Sequence, residues 1–568
     1  MGDTKEMNEK GKKRLMWELE KFVVTRLRAF WPVPYRFFYD LSEEELYGFM
    51  DDWWEAEGKK RYRNRRGELV NFPQLTNHEI CHEMFWNAFR GHSEMYIQIK
   101  DLRFEEESFF DRSNEIADGR KAITLQCSLL TTQMLEYDIM MFQAMSDLED
   151  VEYSEEAKRF YRPYLFSYVT EIDRECFEQL RGLQRRMERP SLGEEDDRSP
   201  YLWLSCTFTP NMYGSNTALK GYVVQSASSI EKIEAELYII ENGASIKKIN
   251  EILDGYEMRS SCVKDDDSFM TAINDKFGND RLEAIDVYKI GNGNCVYAQG
   301  IDHKMGFFYD IGFNYRHRPQ KIVSGGDDSY SDTMKKIYQK RPLFFILSHW
   351  DMDHIAGSAA AEKDFLDKDW FAPDCYDACV DAKRLAKYLD MNNHLYLAKR
   401  HPKKGTSPGR LIGEISIRDV TVPPQTLATY RLYMGKKASC DSSYANCEGI
   451  VIEYTDEISS KTVLMMGDVN YASFDKARLA VNHPSFAATQ IDYLIAPHHG
   501  SDHTGHEKIT NGSSAPIQGT MAVICCTNEE DENRPSKEHR EELKKRFNDN
   551  VYTTEEDPQK KYSITIQL

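Results

Sequence analysis

Two histidines and two aspartates stand close together in the segment 348–354, as His349, Asp351, Asp353 and His354. The segment follows directly on the apolar run 343–347, which predicts a buried strand. Neutral imidazoles and ionised carboxylates at a strand end can converge on a cation, and charged groups beside a buried strand need a partner that offsets their desolvation. The spacing therefore predicts a metal site, and the chemistry that such a site supports is metal-assisted hydrolysis.

Two further apolar runs in the C-terminal half end in residue types that bind metals. Residues 462–466 lead through a glycine to Asp468, and residues 491–497 lead to His498 and His499. Each run has the length and composition of a buried strand. Three predicted strand ends thus carry candidate metal ligands.

The order of these motifs resembles the metallo-β-lactamase superfamily of metal-dependent hydrolases, whose signature is HxHxDH, then a later His, a later Asp and a final His-Gly. The chain is most similar to the soluble hydrolase domain of competence-type DNA-uptake channel proteins, which carries HxDxDH and HHGS, as this chain does at 349–354 and 498–501. The resemblance runs from about Asp286 to the C-terminus. It implies a fold of the α/β class, an αββα metallo-β-lactamase sandwich over residues 283–568.

The resemblance also implies two divalent metal ions, zinc or manganese, and roles for their ligands. Carried over to the matching positions, the ligands are His349 and Asp351 for the first ion, Asp353, His354 and His499 for the second, and Asp468 as the bridge. Two such ions polarise a phosphoryl or carbonyl oxygen and make water a nucleophile near neutral pH. The carboxylate-rich set favours a harder cation and so keeps manganese beside zinc as a candidate.

Further residues around the implied ions are assigned to catalysis or to substrate. Asp310 resembles a family aspartate that hydrogen-bonds the metal loop from behind. His498 either faces the substrate or packs, because family members place the ligand directly before the glycine. The candidate catalytic residues are therefore Asp353, His498 and Asp310. The candidate substrate-binding residues are Ser501 and Arg534. Arg534 stands where the branch tends to carry a histidine, and its guanidinium can bind phosphate.

One ligand of the family has no counterpart, because no histidine stands near residues 421–424, where the middle ligand of the first ion is expected. His394 and His401 lie earlier, and Cys440 and Asp441 lie later. Any of these could substitute, although each is better explained as a structural or surface residue. The first ion is therefore expected to be under-ligated.

A second departure is Asn294, which takes the place of an acidic residue expected after Gly293. Weak occupancy of one ion, or a shifted substrate, would fit both departures. A non-catalytic metal-binding scaffold that recruits a partner is the alternative function that they leave open.

Composition sets the outer limits of these interpretations. A chain of 568 residues with 41% hydrophobic and 12% aromatic residues predicts two to four folded domains. The formal charge of −20 opposes generic binding to a polyanion, which makes long duplex DNA a doubtful substrate. No apolar run is long enough to span a bilayer and the N-terminus has no signal-peptide core, so a cytoplasmic protein without membrane association is expected.

The N-terminal half shows helical periodicity, for example over 129–145 and 155–185. We predict a mostly α-helical domain of unknown role over 1–190, which could bind a protein partner, and a small mixed connecting region over 200–280 with β-rich segments after residue 201. The segment 78–82 matches HExxH, in which two histidines bind zinc and the glutamate acts as general base, so an N-terminal metalloprotease is a further alternative.

The cluster of metal ligands predicts a metal-dependent hydrolase, and the resemblance implies that it is a phosphodiesterase or nuclease. The expected substrate is nucleic acid or a nucleotide, attacked by metal-activated hydroxide.

Overall fold

The computed structural model describes residues 258–568 apart from short stretches, of which the longest are 314–328, 401–408, 436–447 and 527–534. Before residue 258 it describes the strands given below and single positions between them. Within these described residues no helix has both the length and the apolar character needed to cross a bilayer.

Among the described residues before 258, the structure contains eight strands. Two short strands, β1 (Arg61–Arg63) and β2 (Leu69–Asn71), pair as an antiparallel ribbon. Six more form a closed barrel: β3 (Met95–Leu102), β4 (Ile123–Thr131), β5 (Phe166–Ile172), β6 (Leu202–Thr209), β7 (Leu219–Ser226) and β8 (Ser229–Ile239). Their order around the barrel is β3-β4-β5-β7-β8-β6, and every neighbouring pair is antiparallel. Closure leaves no strand edge unpaired.

The structure describes both strand and helix in the two segments that the apolar periodicity assigns to helix. β4 ends inside 129–145 and β5 lies inside 155–185, whereas the described positions 134, 135, 138 and 142 of the first segment and 178 and 180 of the second are helical. Phe166 and Thr170 are the buried positions described on β5, and a spacing of four residues satisfies a strand as well as a helix. The strands β6 to β8 confirm the β-rich segments after residue 201. They pair with β3 and β5, across the predicted boundary near 190.

The C-terminal half contains two sheets, the first of eight strands in the order β23-β10-β11-β12-β13-β14-β15-β9. Its members are β9 (Val263–Lys264), β10 (Leu282–Tyr288), β11 (Cys295–Gly300), β12 (Gly306–Ile311), β13 (Phe344–Ile346), β14 (Asp369–Pro373), β15 (Leu395–Ala398) and β23 (Ser563–Gln567). The pairs from β23 to β12 are antiparallel, and those from β12 to β9 are parallel.

The second sheet has seven strands in sequential order from β16 to β22. They are β16 (Arg410–Asp419), β17 (Gln425–Met434), β18 (Ile450–Asp456), β19 (Lys461–Met465), β20 (Tyr493–Ile495), β21 (Met521–Ile524) and β22 (Val551–Thr553). The pairs are antiparallel up to β19 and parallel from β19 to β22. Each sheet thus places several strand carboxyl ends at one edge, where functional side chains can meet.

The helices of this half are α1 (Asp266–Phe277), α2 (Ser329–Gln339), α3 (Met352–Ile355), α4 (Lys363–Leu366), α5 (Val380–Met391), α6 (Tyr471–Ala480) and α7 (Lys537–Phe547). Short 3-10 turns occur at Ser260–Cys262, Ala356–Ala360, Phe486–Ala488, Pro497–Gly500 and His506–Lys508. α1 and β9 precede residue 283, the predicted start of the hydrolase domain. Both nevertheless belong to it, because β9 pairs with β15 and α1 packs into the core between the sheets.

The two sheets pack face to face through side chains that alternate along each strand. On β19, Val463 and Met465 enter the core between the sheets, whereas Leu464 enters a second cluster with α6 and α7. This period of two is what a strand covered on both faces requires. On the other side, Phe345 of β13 stacks on Trp370 and contacts Phe365 of α4. The layers are therefore helices, sheet, sheet and helices, in the order that the sequence analysis expects.

The barrel meets the sandwich beside the predicted metal loop. Strand β7 runs alongside the turn Ala356–Ala360, which directly follows α3. A second contact joins buried Asp138 to Arg384 of α5 and to Tyr256. The N-terminal half is thus docked on the same layer that carries the metal loop.

Candidate metal centre

The predicted metal loop leaves the carboxyl end of β13 and turns at once into α3. Trp350 is buried and its Nε1 donates to Pro373 O at 2.8 Å, which anchors the middle of the loop against β14. The backbone nitrogen of His354 donates to Asp351 O at 2.9 Å and closes the turn. Because the loop is pinned on both sides, its polar side chains are directed to one place.

Asp310, at the end of β12, holds this loop from behind. Its carboxylate accepts hydrogen bonds from Ser348 N at 2.6 Å, from Ser348 Oγ at 2.7 Å and from Asn294 Nδ2 at 2.7 Å. Nδ1 of His354 lies 2.8 Å from the same carboxylate. Asp310 is fully enclosed and so supports the loop without reaching a substrate, which is the position expected of it from the resemblance.

These contacts fix the tautomer of the two loop histidines in the neutral form that binds a metal. A carboxylate oxygen only accepts, so Nδ1 of His354 carries a proton, and Nε2 has a lone pair whenever the ring is neutral. Ser348 Oγ donates its single proton to Asp310 and therefore accepts from Nδ1 of His349 at 3.0 Å. Both imidazoles thus present Nε2 as an electron-pair donor, the form in which histidine binds metals.

Glycines allow close backbone approaches to the loop from both sheets. At Gly312, which follows β12 of the first sheet, a Cβ would lie 1.7 Å from Asp353 O. Gly467, which follows β19 of the second sheet, has φ +54°, and a Cβ there would lie 2.4 Å from Ser348 Cβ. Only glycine permits such approaches, and the approach at Gly467 brings Asp468 to the two loop histidines.

His498 and His499 follow β20 in a strained turn. Their φ angles are +50° and +54°, in the left-handed region that costs a non-glycine residue about 1–2 kcal/mol. Nδ1 of His499 lies 2.8 Å from Cys525 O, so this ring also directs an unprotonated Nε2 away from the backbone.

Five predicted ligands converge into two overlapping groups. His349, His354 and Asp468 form one, and Asp353, His354 and His499 form the other; in each, the ligand atoms lie within 4.8 Å of one another. Nε2 of His354 is 3.2 Å from Asp468 Oδ1, and Nε2 of His499 is 3.2 Å from Asp353 Oδ2. Tetrahedral ligands at zinc bonding distance stand ~3.4 Å apart, so these separations match those around an ion.

Two predicted residues stand at the margin of these groups. Asp351 Oδ2 is 3.7 Å from His349 Nε2, and the Asp351 side chain is 34% exposed. His498 Nε2 is 3.8 Å from Asp468 Oδ2, and its side chain is 19% exposed. Ser501 is buried just beyond His499 and its Oγ has no hydrogen-bond partner.

Three buried nitrogen atoms test whether the site suits a metal. Nε2 of His349, of His354 and of His499 are all buried and make no hydrogen bond. A buried polar atom without a partner destabilises the fold by about 1–3 kcal/mol. Three such nitrogen atoms directed at one place would destabilise it further, unless a bound cation accepts their lone pairs. Imidazole nitrogens and carboxylate oxygens together suit zinc or manganese, so the residues present fit the implied ions.

The electrostatics of the site also favour positive charge. Burial alone would raise the pKa of Asp468, but neighbouring imidazoles, led by that of His498, hold the pKa well below its ordinary value. Burial likewise opposes ionisation of Asp353, yet the imidazole of His499 beside it, and then that of His354, lower its pKa. Burial alone would lower the pKa of His354, but Asp310 and Asp468 raise it well above its usual range. The carboxylates draw in a cation, and a metal ion would satisfy them better than a proton.

Some predicted positions are not brought to the centre or lie outside the described residues. His394 precedes β15 and its Nδ1 contacts Asp369 at 3.0 Å, at the amino ends of the parallel strands and so at the edge opposite the metal loop. The structure does not describe the remaining ones, which are Arg534, His401, Cys440, Asp441, residues 421–424 and the HExxH segment 78–82.

Asn294 and Cys525 contribute to the centre in ways the sequence analysis did not assign. Asn294 donates to Asp310, and its Oδ1 accepts from Cys525 Sγ at 3.3 Å. The substitution noted as a departure thus supplies a neutral donor to a buried carboxylate. The sequence carries no signal for Cys525, since its contacts are made across more than two hundred residues.

No family model and no curated protein matches the sequence. Among solved structures, unliganded yeast PDE1 is similar at 12% identity over 50% of this chain and 99% of that chain, with a TM-score of 0.28. A diiron β-hydroxylase, CmlA from Streptomyces venezuelae, is similar at 10% identity over 84% of this chain and 100% of that chain, with a TM-score of 0.29. A mutant of the CmlA β-hydroxylase gives 9% identity, 76% and 91% coverage and a TM-score of 0.28. Scores this low assign neither fold nor activity, so the proposal below rests on the chain's own residues.

Proposed function

We propose that the chain is a metal-dependent hydrolase that binds two divalent ions, zinc or manganese, and cleaves phosphodiester bonds in short nucleic acids or nucleotides. The observation that carries the proposal is the convergence of three unpartnered imidazole nitrogens, those of His349, His354 and His499, on two carboxylates. Ions bound there supply Lewis acidity and lower the pKa of a coordinated water.

The chain's own residues would either bind an ion or orient a residue that binds one. His349 and Asp351 would hold one ion, and Asp353, His354 and His499 the other. Asp468 directs Oδ1 toward His354 and Oδ2 toward His349, as a bridging ligand requires.

The surroundings of Asp310 support a positioning role in place of the catalytic role considered in the sequence analysis. It is enclosed behind the loop, and its hydrogen bonds fix the ring of His354. We therefore propose that it orients a ligand and does not touch the substrate.

The substrate class follows from motif and charge. The motifs HxDxDH and HHGS resemble a branch joined to DNA-uptake channels, which favours phosphodiesters over lactams or thioesters. The charge of −20 opposes long polyanions, which makes short single strands or nucleotides better substrates than duplex DNA. We propose a cytoplasmic location and, for the N-terminal half, a protein partner.

The test combines metal content with turnover. Wild type and His354→Ala are measured by elemental analysis and assayed on short single-stranded DNA, RNA and bis-p-nitrophenyl phosphate with manganese or zinc. We expect about two metals per wild-type chain and metal-dependent cleavage, both reduced in the variant. Absence of metal from wild type, or full cleavage by the variant, would contradict the proposal.

A non-catalytic metal scaffold is the second candidate. Two features on the side of the first ion favour this candidate. The Asp351 side chain is one-third exposed, and the described residues include no histidine at the place of the family's middle ligand. Metal content without cleavage of any of the three substrates would favour this alternative.

A further inference from the structure

The carboxylate of Asp468 divides the surrounding imidazoles into two pairs. Oδ1 lies 3.2 Å from His354 Nε2 and 3.8 Å from His499 Nε2. Oδ2 lies 3.9 Å from His349 Nε2 and 3.8 Å from His498 Nε2. Each oxygen therefore faces two ring nitrogens, and the second nitrogen on the His349 side belongs to His498.

The backbone at this turn is shaped to present two rings. A single left-handed residue would reverse the chain, yet both His498 and His499 adopt φ near +50°. The backbone nitrogen of His498 donates to Gly467 O at 3.0 Å, which fixes the turn against the residue preceding Asp468. The two rings stand perpendicular, at 90° with centroids 6.4 Å apart, and both direct Nε2 to the Asp468 carboxylate. Strain of this kind is kept where the resulting geometry has a use.

The sequence leaves the first ion one histidine short. Between His401 and His483 the chain contains no histidine, so the family's middle ligand has no counterpart in sequence order.

On this basis, and resting on the proposed metal centre, we propose that His498 Nε2 is a ligand of the ion held by His349, in place of the missing middle histidine. His498 is outside the two tightest groups, and the 3.8 Å between its Nε2 and Asp468 Oδ2 is close to the ~3.4 Å that separates two ligands of one ion. The HHGS motif then supplies one ligand to each ion instead of one ligand and one substrate contact.

The test uses two variants matched for backbone conformation. Asn and Asp both tolerate a left-handed φ, so His498→Asn and His498→Asp preserve the turn. Of the two, Asp offers an ionised oxygen ligand. Metal-free full-length protein is titrated with Zn²⁺ by calorimetry and with Co²⁺ by visible absorption. His483→Asn serves as a control, because the His483 ring contacts Tyr433, away from the centre.

We expect wild type, His498→Asp and the His483→Asn control to bind two ions. His498→Asn is expected to bind one ion normally and the other at least about tenfold more weakly, or about 1.4 kcal/mol, with an altered Co²⁺ spectrum. Two ions bound equally tightly by wild type and His498→Asn would overturn the ligand assignment alone. A wild type that binds no metal would overturn the proposed function together with this assignment.

Discussion

The metal centre and the junction between the two halves of the chain both enclose charged groups, and they differ in how those groups are partnered. At the junction, Arg384 donates through Nε to Asp138 Oδ2 at 2.6 Å and through Nη2 to Asp138 Oδ1 at 3.2 Å, while Tyr256 Oη donates to Oδ2 at 2.7 Å. At the metal centre three imidazole nitrogens have no hydrogen-bond partner. Fully paired buried charge indicates a structural role, whereas convergent nitrogen atoms without hydrogen-bond partners indicate a ligand-binding role.

Removing the bridging carboxylate should have the largest effect. Asp468→Ala is expected to lower metal-dependent turnover about 10⁴-fold, or about 5 kcal/mol. It should also abolish stabilisation by added metal, which for wild type is about 2.7 kcal/mol at one hundred times the dissociation constant. Turnover assays and chemical denaturation with and without metal measure both. If added metal stabilises Asp468→Ala as strongly as wild type, the proposed difference between the metal centre and the junction is contradicted.

The junction should respond in the opposite way. Arg384→Met leaves Asp138 buried without its cationic partner and is expected to lower the free energy of unfolding by about 4 kcal/mol. Added metal should stabilise this variant as much as wild type, because the centre is untouched. Denaturant titration measures both effects, and Asp138→Leu combined with Arg384→Met is the control, expected to recover much of the loss. No recovery in the double variant would show that the pair is not the source of the loss.

A buried histidine outside the metal centre sharpens the comparison. His539 lies near the HHGS turn, but both its nitrogens have partners: Nδ1 is 3.3 Å from Ser501 O and Nε2 is 3.0 Å from Tyr471 Oη. Burial, aided by the charge of His506, lowers its pKa to about 4.

The unfolded chain binds a proton at His539 near pH 6.5, and the folded chain binds it only near pH 4. The contribution of neutral His539 to the free energy of unfolding is therefore fully present above pH 6.5. That contribution, about 3 kcal/mol, is lost as the pH falls from about 6.5 to about 4. Unfolding followed as a function of pH should show this loss in wild type, and His539→Gln should lack it. An unchanged pH profile in the variant would contradict the assignment of a neutral, structural histidine.

The smallest effect is expected behind the metal loop. Asn294→Ala removes the amide that donates to Asp310 and so loosens the carboxylate that orients His354. Loss of such a supporting hydrogen bond is expected to weaken metal affinity about 10–100-fold. Zinc titration measures this, with Cys525→Ala as the comparison, expected to be milder because Cys525 acts on Asp310 only through Asn294. Equal affinity in Asn294→Ala and wild type would show that Asp310 is held well enough without the amide.

The sequence alone located the elements whose signals are local. The segment 349–354, Asp468 and the HHGS turn were recognisable because each follows a short apolar run, and the strand that precedes each is present as β13, β19 or β20. It misassigned β5, since positions Phe166 and Thr170 are spaced equally well for a strand and for a helix.

What only the tertiary structure decided is where atoms from distant strands meet. The sequence determined that His349, Asp351, Asp353, His354, Asp468 and one of His498 and His499, preferably His499, were ligand candidates. The packing of the two sheets, allowed by Gly467, brings most of these residues together. It also directs Nε2 of His498 and Nε2 of His499 to one carboxylate. Hydrogen bonds such as that from Cys525 to Asn294 join residues 231 positions apart. Neither hydrophobic periodicity nor motif spacing contains such contacts, because those patterns record which face of an element is buried and not what lies opposite it.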